Sequence, residues 1–178
     1  SHAQESDWHP RLWIGVACDE VIRMVIAKRL TIEQGAKKLL TAAKVAESMG
    51  AELVCWDAEA ACKQSPVIAS DLATCLIGFT RLNYPGLVQA HTAYPVPTYH
   101  SEFDEYGRRL TRGYPWTAWC GPDGVDVDLP ELYAAPAEPE EGPRPFARAG
   151  ALRSLLKLHA DSWRVAIKKG WIRANLPV

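Results

Sequence analysis

The decapeptide AELVCWDAEA, residues 51–60, carries the two carboxylates best spaced for chemistry, Asp57 and Glu59. It follows a helix stop at Gly50 and reads as a short apolar strand. Side chains alternate faces along a strand, so Leu53, Cys55, Asp57 and Glu59 are expected on one side and Val54 and Trp56 on the other. The two carboxylates then point the same way, about 6–7 Å apart at ~3.3 Å per residue. Such a pair can do general acid and base work at the carboxyl end of a parallel strand, where ligands bind. The same Asp-x-Glu triplet also occurs as a solvated edge or as a helix-capping acid.

The elements that must position this pair alternate strand and helix. Residues 11–18, RLWIGVAC, form an almost wholly apolar run, expected as a strand covered on both faces, with Asp19 and Glu20 at its end. The following VIRMVIAKRL has no assignment beyond a loop with a helical turn. Thr31 and Gln34 have capping-box spacing and Gly50 sits where a left-handed residue is wanted, which predicts a helix from about 32 to 49. Its apolar stripe is Ile32, Ala36, Leu39, Leu40, Ala43, Ala46 and Met49. Ser65-Pro66 predicts a second helix to about residue 83, with Val67, Leu72, Cys75, Leu76, Phe79 and Leu82 as its stripe. The next strand, over 87–94, puts Gln89 and His91 on one face. His91 is either a hydrogen-bonded core histidine or a group at the site.

Residues 95–124 are rich in aromatics, Pro and Gly, and a connection of that length is functional or holds a short helix, here over 101–110. A strand from 125 to about 134 sets Asp126 and Asp128 on one face. The tract APAEPEEGPRP makes 134–146 an exposed loop, and a last helix over about 147–169 has Leu152, Leu155, Leu156, His159, Trp163, Ala166 and Ile167 on one stripe. WIRANLPV after Gly170 reads like the start of a further strand. This alternation predicts an α/β fold of parallel β/α units, either an open sheet or part of a TIM-type barrel. Residues 11–178 form one domain, and residues 1–10, opening on Ser1-His2, read as a tag remnant and leader.

Composition narrows the classes. With 20 basic and 21 acidic residues the chain is almost neutral, which gives no electrostatic footprint for nucleic acid or an anionic membrane. No apolar run approaches the ~20 residues of a membrane span. The first ten residues lack signal-peptide order, and localisation stays open. The cysteines at 18, 55, 62, 75 and 120 are odd in number and without C-x-x-C spacing, which reads as reduced, core-type cysteine. No metal spacing and no phosphate-binding glycine motif is present, so neither metal nor cofactor is expected. The absence of G-x-S-x-G argues against an α/β-hydrolase nucleophile.

The run EQGAKKLLTAAKVAESMGAELVCWDAEA, a following helix, and then YPGLVQAHTAYPVPTYHSEF resemble the middle of the family 25 glycoside hydrolases and related glycoside-hydrolase-like barrels of bacteria and phages. The likeness covers about residues 33–103 and, more loosely, the strand ending in Leu132-Tyr133. It implies a β/α barrel of which this chain holds strands three to six, hence an incomplete or half barrel. It implies Glu59 as general acid/base, Asp57 as its neighbour orienting a substrate N-acetyl group, and Tyr94 as the aromatic at the next strand end. Family 25 barrels also carry acids at the end of their first strand and near their last, and neither has a counterpart here. PDGVDVDLPE approaches the D-G-x-D-x-D-x-E signature of family 18 chitinase-like barrels, but Leu129-Pro130 sets Glu131 one residue too far on.

The expected chemistry is hydrolysis of an N-acetylated cell-wall polysaccharide such as peptidoglycan. Tyr94, His91, Trp56, Trp116, Trp119, Asp19 and Asp126 are its substrate-binding candidates, although core packing competes with sugar stacking for each Trp. Two other readings stay open. One is a non-catalytic glycan-binding or structural barrel module, as in a phage particle. The other is a metal-dependent β/α enzyme using His91, His100, Asp126 and Asp128. A half barrel exposes two strand edges, so a second copy, or another chain completing the barrel, is an expected partner.

Overall fold

The computed structural model describes residues 11–93, 114–129, 160, 161 and 163–176. β1 (Trp13–Ala17) leads into α1 (Asp19–Ile26) and α2 (Ile32–Ser48), and β2 (Leu53–Asp57) into α3 (Ala60–Gln64) and α4 (Pro66–Asn83). β3 (Val88–Thr92), α5 (Trp116–Cys120) and the two-residue β4 (Val127–Asp128) follow, and residues 163–168 are helical. Tyr94, His100, the helix expected over 101–110, the proline-rich loop 134–146, and the expected strand and helix residues at 130–134 and 147–159 lie outside the described residues.

The strands are all parallel and lie in chain order, β1-β2-β3-β4. Buried residues of α1, α2 and α4 share one apolar cluster with Val54 and Trp56, against which Ile14 and Val16 pack, so these helices cover one face of the sheet. Chain order with both crossovers on one face is the winding of a β/α barrel. A doubly wound sheet reverses its strand order and carries helices on both faces. The α/β class therefore stands, while four strands do not close a barrel. On the other face Leu53, Cys55 and Ala90 form a small second cluster with Val88 and Val127. There Trp13, Gly15 and Ala17 of β1 are exposed, which corrects the expectation of a strand covered on both sides. Among the described residues β1 is an edge strand, partly buried through Ile14 and Val16.

The segment after β1 that the sequence left unassigned is α1. Asp19 and Glu20 occupy its first turn, where acids suit the helix dipole, and Val21, Ile22 and Val25 are buried. No side chain caps its start, so the usual entry signal is missing. α2 does open on its capping box: Thr31 Oγ1 accepts from the Gln34 amide at 3.1 Å and Gln34 Oε1 from the Thr31 amide at 2.9 Å. Gly50 closes it at φ 73°, in the left-handed region that glycine enters freely. The buried stripe stops at Ala46, leaving Met49 exposed. α4 starts at Pro66, but the Ser65 side chain makes no cap bond. Its buried face is Ala69, Leu72, Ala73, Leu76, Ile77 and Thr80, whereas Val67 and Leu82 face outward. Small residues at this crossing let the helices approach closely: a Cβ on Gly35 of α2 would lie 3.2 Å from Leu72 Cδ1 and 2.7 Å from Val25 Cγ2. Among the described residues after Gly170 no strand forms. Trp171, Ile172 and Leu176 fold into the main core instead, and the Arg173 amide donates to the Cys120 carbonyl at 3.1 Å.

Two glycines give opposite tests of this packing. At Gly124 a Cβ would stand 2.2 Å from the Trp119 carbonyl oxygen, a backbone atom of α5, whereas at Gly78, exposed within α4, nothing lies within 4 Å. Gly124→Ala is expected to destabilise by about 1–3 kcal/mol through forced displacement of α5. Gly78→Ala is expected to stabilise by about 0.5–1 kcal/mol through helix propensity. Urea unfolding midpoints measure both.

Candidate functional site

Two polar clusters lie at the carboxyl ends of the strands, on opposite faces. The register aligns Ala17, Asp57 and Thr92 in the last row, and Val16, Trp56, His91 and Asp128 in the row before it. Adjacent rows point to opposite sides of a pleated sheet. Asp57 therefore faces away from the helices, and His91 toward them.

Asp57 ends β2 and is half-buried. Glu59 does not continue the strand. It is the residue before α3, at φ −124° and ψ −95°, and this overturns the expectation that alternation alone holds the two carboxylates on one strand face. The cause is Asp19. Its Oδ1 accepts from the Glu59 amide at 3.0 Å and its Oδ2 from the Ala61 amide at 3.2 Å, which folds the chain off the sheet into α3. Arg23 pairs with the same carboxylate at 3.1 Å. Asp19, expected to contact substrate, is thus occupied in shaping the turn.

The Asp57 carboxyl holds its proton to higher pH than an ordinary aspartate. Partial burial is the main cause, followed by the carboxylates of Glu59 and Asp19, with His91 acting weakly the other way. A carboxyl so placed can donate a proton to a leaving group.

The cluster behind the sheet is enclosed. Trp56 Nε1 donates to Gln89 Oε1 at 3.1 Å, and Gln89 Nε2 donates to the Ile77 carbonyl at 3.2 Å. His91 Nδ1 lies 2.9 Å from Asp128 Oδ1, and its Nε2 lies 2.5 Å from the Tyr114 hydroxyl, which donates to the Ala58 carbonyl. Trp119 stacks on the imidazole with centroids 5.0 Å apart, and Trp116 meets it edge-on. Trp56, Trp116, Trp119 and His91 are at most 2 % exposed, so they present no face to a sugar ring, contrary to expectation. Each is a large ring on the helix-covered side, and core packing takes it.

Asp126 and Asp128 also part. Asp126 precedes β4, accepts from the Gln89 amide at 2.8 Å and lies 3.6 Å from Arg81, whereas Asp128 is buried beside His91. Burial pushes the thiol of Cys62 up to about 12, and those of Cys18 and Cys120 well above the usual cysteine range.

Sequence reasoning missed Trp13, Tyr114 and Cys120. Trp13 is 54 % exposed on the face that carries Asp57, its ring extending over Gly15, where a Cβ would lie 3.4 Å from Trp13 Cζ3. The large-small-small alternation Trp13, Gly15, Ala17 was its only signal.

Ionised Asp57 disfavours the fold, because its folded pKa lies above its unfolded one. The penalty is absent below the ordinary aspartate value of 3.8, grows as pH rises through the folded pKa, and is complete above it. Asp57→Asn is accordingly expected to raise the unfolding midpoint at neutral pH and leave it nearly unchanged at the acid end, in denaturation curves taken across that range. Asp19→Ala removes two backbone hydrogen bonds to a charged acceptor together with the Arg23 pair, and is expected to lose about 1–3 kcal/mol in the same assay. No protein-family model matches the chain, and no curated protein or solved structure matches it significantly, so the reading of the site rests on its geometry.

Proposed function

We propose that this chain is a glycoside-hydrolase-like β/α domain that cleaves an N-acetylated cell-wall polysaccharide such as peptidoglycan, using Asp57 and Glu59. The observation that carries the reading is Asp57: a half-buried carboxyl with raised proton affinity, at the carboxyl end of a parallel strand, on the side of the sheet away from the helices, with two further carboxylates around it. Glycosidic cleavage needs a protonated carboxyl at the leaving oxygen and a second group at the anomeric centre. The family resemblance gives the acid role to Glu59. The raised proton affinity favours Asp57 for it, with Glu59 as the second carboxyl. In a substrate-assisted route the N-acetyl carbonyl oxygen attacks the anomeric carbon, and that second carboxyl orients the amide. Trp13 supplies an exposed indole on the same face, four rows or about 13 Å from Asp57, for a sugar ring further along the glycan.

Trp13 also favours a second reading, a barrel module that binds glycan without turning it over. The edge position of β1 fits the further expectation of a second copy, or another chain, extending the sheet. Among the described residues no helix is long and apolar enough to cross a membrane.

The test is release of reducing sugar from purified peptidoglycan and chitin oligomers by the wild type, Asp57→Asn and Glu59→Gln. Wild-type turnover is expected, with kcat lower by ~10²–10⁴ in Asp57→Asn and the alkaline limb of the pH profile lost with it. Glycan binding that depends on Trp13, with no turnover by folded wild type, selects the binding module. Neither turnover nor binding sinks both readings.

A further inference from the structure

The contact between His91 and Asp128 needs a positive centre between its two atoms. The Ala58 carbonyl can only accept, so the Tyr114 hydroxyl hydrogen is directed at it. The phenol oxygen then accepts from His91 Nε2–H. A neutral imidazole carries a single N–H, which leaves Nδ1 with a lone pair, and a carboxylate oxygen offers only lone pairs. Yet Nδ1 and Asp128 Oδ1 stand 2.9 Å apart. Cys120 Sγ completes a triangle, 3.8 Å from Nδ1 and 3.7 Å from Oδ1. The three residues are buried, and Asp128 Oδ2 has no hydrogen-bond partner among the described residues.

We propose that His91 Nδ1, Asp128 Oδ1 and Cys120 Sγ bind one divalent transition-metal ion of the zinc class. Nitrogen, oxygen and sulfur donors bound tetrahedrally at ~2.0–2.3 Å stand ~3.3–3.6 Å from one another, so the observed triangle needs shifts of only a few tenths of an ångström. The donor set, one imidazole, one thiolate and one carboxylate, suits that class of ion. Binding takes up a dication and releases the Cys120 thiol proton to solvent, leaving thiolate and carboxylate to balance the metal charge. A neutral centre is what an enclosure walled by Trp116 and Trp119 tolerates. Tyr114 is the outer partner that fixes the imidazole ring and its tautomer. The nearby Arg173 guanidinium is directed to the Asp126 carbonyl, 3.0 Å away.

β3, α5 and β4 each give one ligand, so the ion pins the last strand pair to the helix that packs over it. It lies on the face opposite Asp57, and the assignment is independent of glycan chemistry.

A proton shared between Nδ1 and Oδ1 satisfies the same contact without metal, with Cys120 a bystander, and experiment separates the two. The full chain is purified, analysed for metal, stripped with chelator and titrated with Co²⁺. Stoichiometric binding with a near-ultraviolet sulfur-to-cobalt charge-transfer band, displaced by Zn²⁺, is expected. The band should vanish in Cys120→Ser and persist in Cys62→Ser, whose thiol is buried outside the triangle. Should Cys120→Ser fail to fold, Tyr114→Phe keeps the ring and is expected to weaken metal affinity about 10–100-fold. No band in folded wild type, a band that survives Cys120→Ser, or unchanged affinity in Tyr114→Phe overturns the assignment.

Discussion

The structure depends on three polar side chains held where water does not reach. Gln89 and His91 of β3 and Asp128 of β4 are all buried on the face the helices cover. Their partners come from everywhere around them: Trp56 on β2, the Ile77 carbonyl of α4, Tyr114 before α5 and, through Tyr114, the Ala58 carbonyl just past β2. Leaving a buried donor or acceptor without its partner costs about 1–3 kcal/mol, against roughly 5–15 kcal/mol for a whole domain. That asymmetry makes the cluster a determinant of how β2, β3, β4 and α5 sit together, over and above the apolar contacts they share.

The open side obeys a different rule. Asp57, Glu59 and Asp19 crowd at the end of β2, and the crowding is tolerated because solvent reaches it. Asp19 spends its charge on two backbone amides and on Arg23, which fixes where Glu59 sits. Asp57, half-buried beside them, answers with a raised proton affinity. The same acid that bends the chain off the sheet thus also raises the proton affinity of its neighbour.

What the sequence made legible were the features written in local chemistry. Thr31, Gln34 and Gly50 bound α2, and Pro66 starts α4, because caps and stops act within a few residues. The parallel α/β alternation followed from them. α1 escaped because no side chain caps it, and its strand-end acids, Asp19 and Glu20, double as first-turn residues. The site was half legible: Asp57 lies at the strand end as read, but nothing near Glu59 announces that Asp19, 40 residues earlier, pulls its amide off the sheet. Trp56, Trp116 and Trp119 read the same in sequence whether they stack on sugar or pack in the core, and only the fold decides between them. Cys120 carries no spacing signal toward His91 or Asp128, since β3, α5 and β4 meet only in the fold.

Neighbouring positions Trp56 and Asp57 belong at opposite ends of the polarity scale and on opposite faces of β2. A slip of β2 by one residue against its neighbours would turn the indole into solvent and drive the carboxylate beneath the helices, breaking the Trp56–Gln89 bond as well. Parallel sheets assemble from distant segments and give folding ample chance to misalign. Here a misaligned β2 penalises itself at once, so the two residues that pack on opposite faces of the strand also proofread the sheet's assembly.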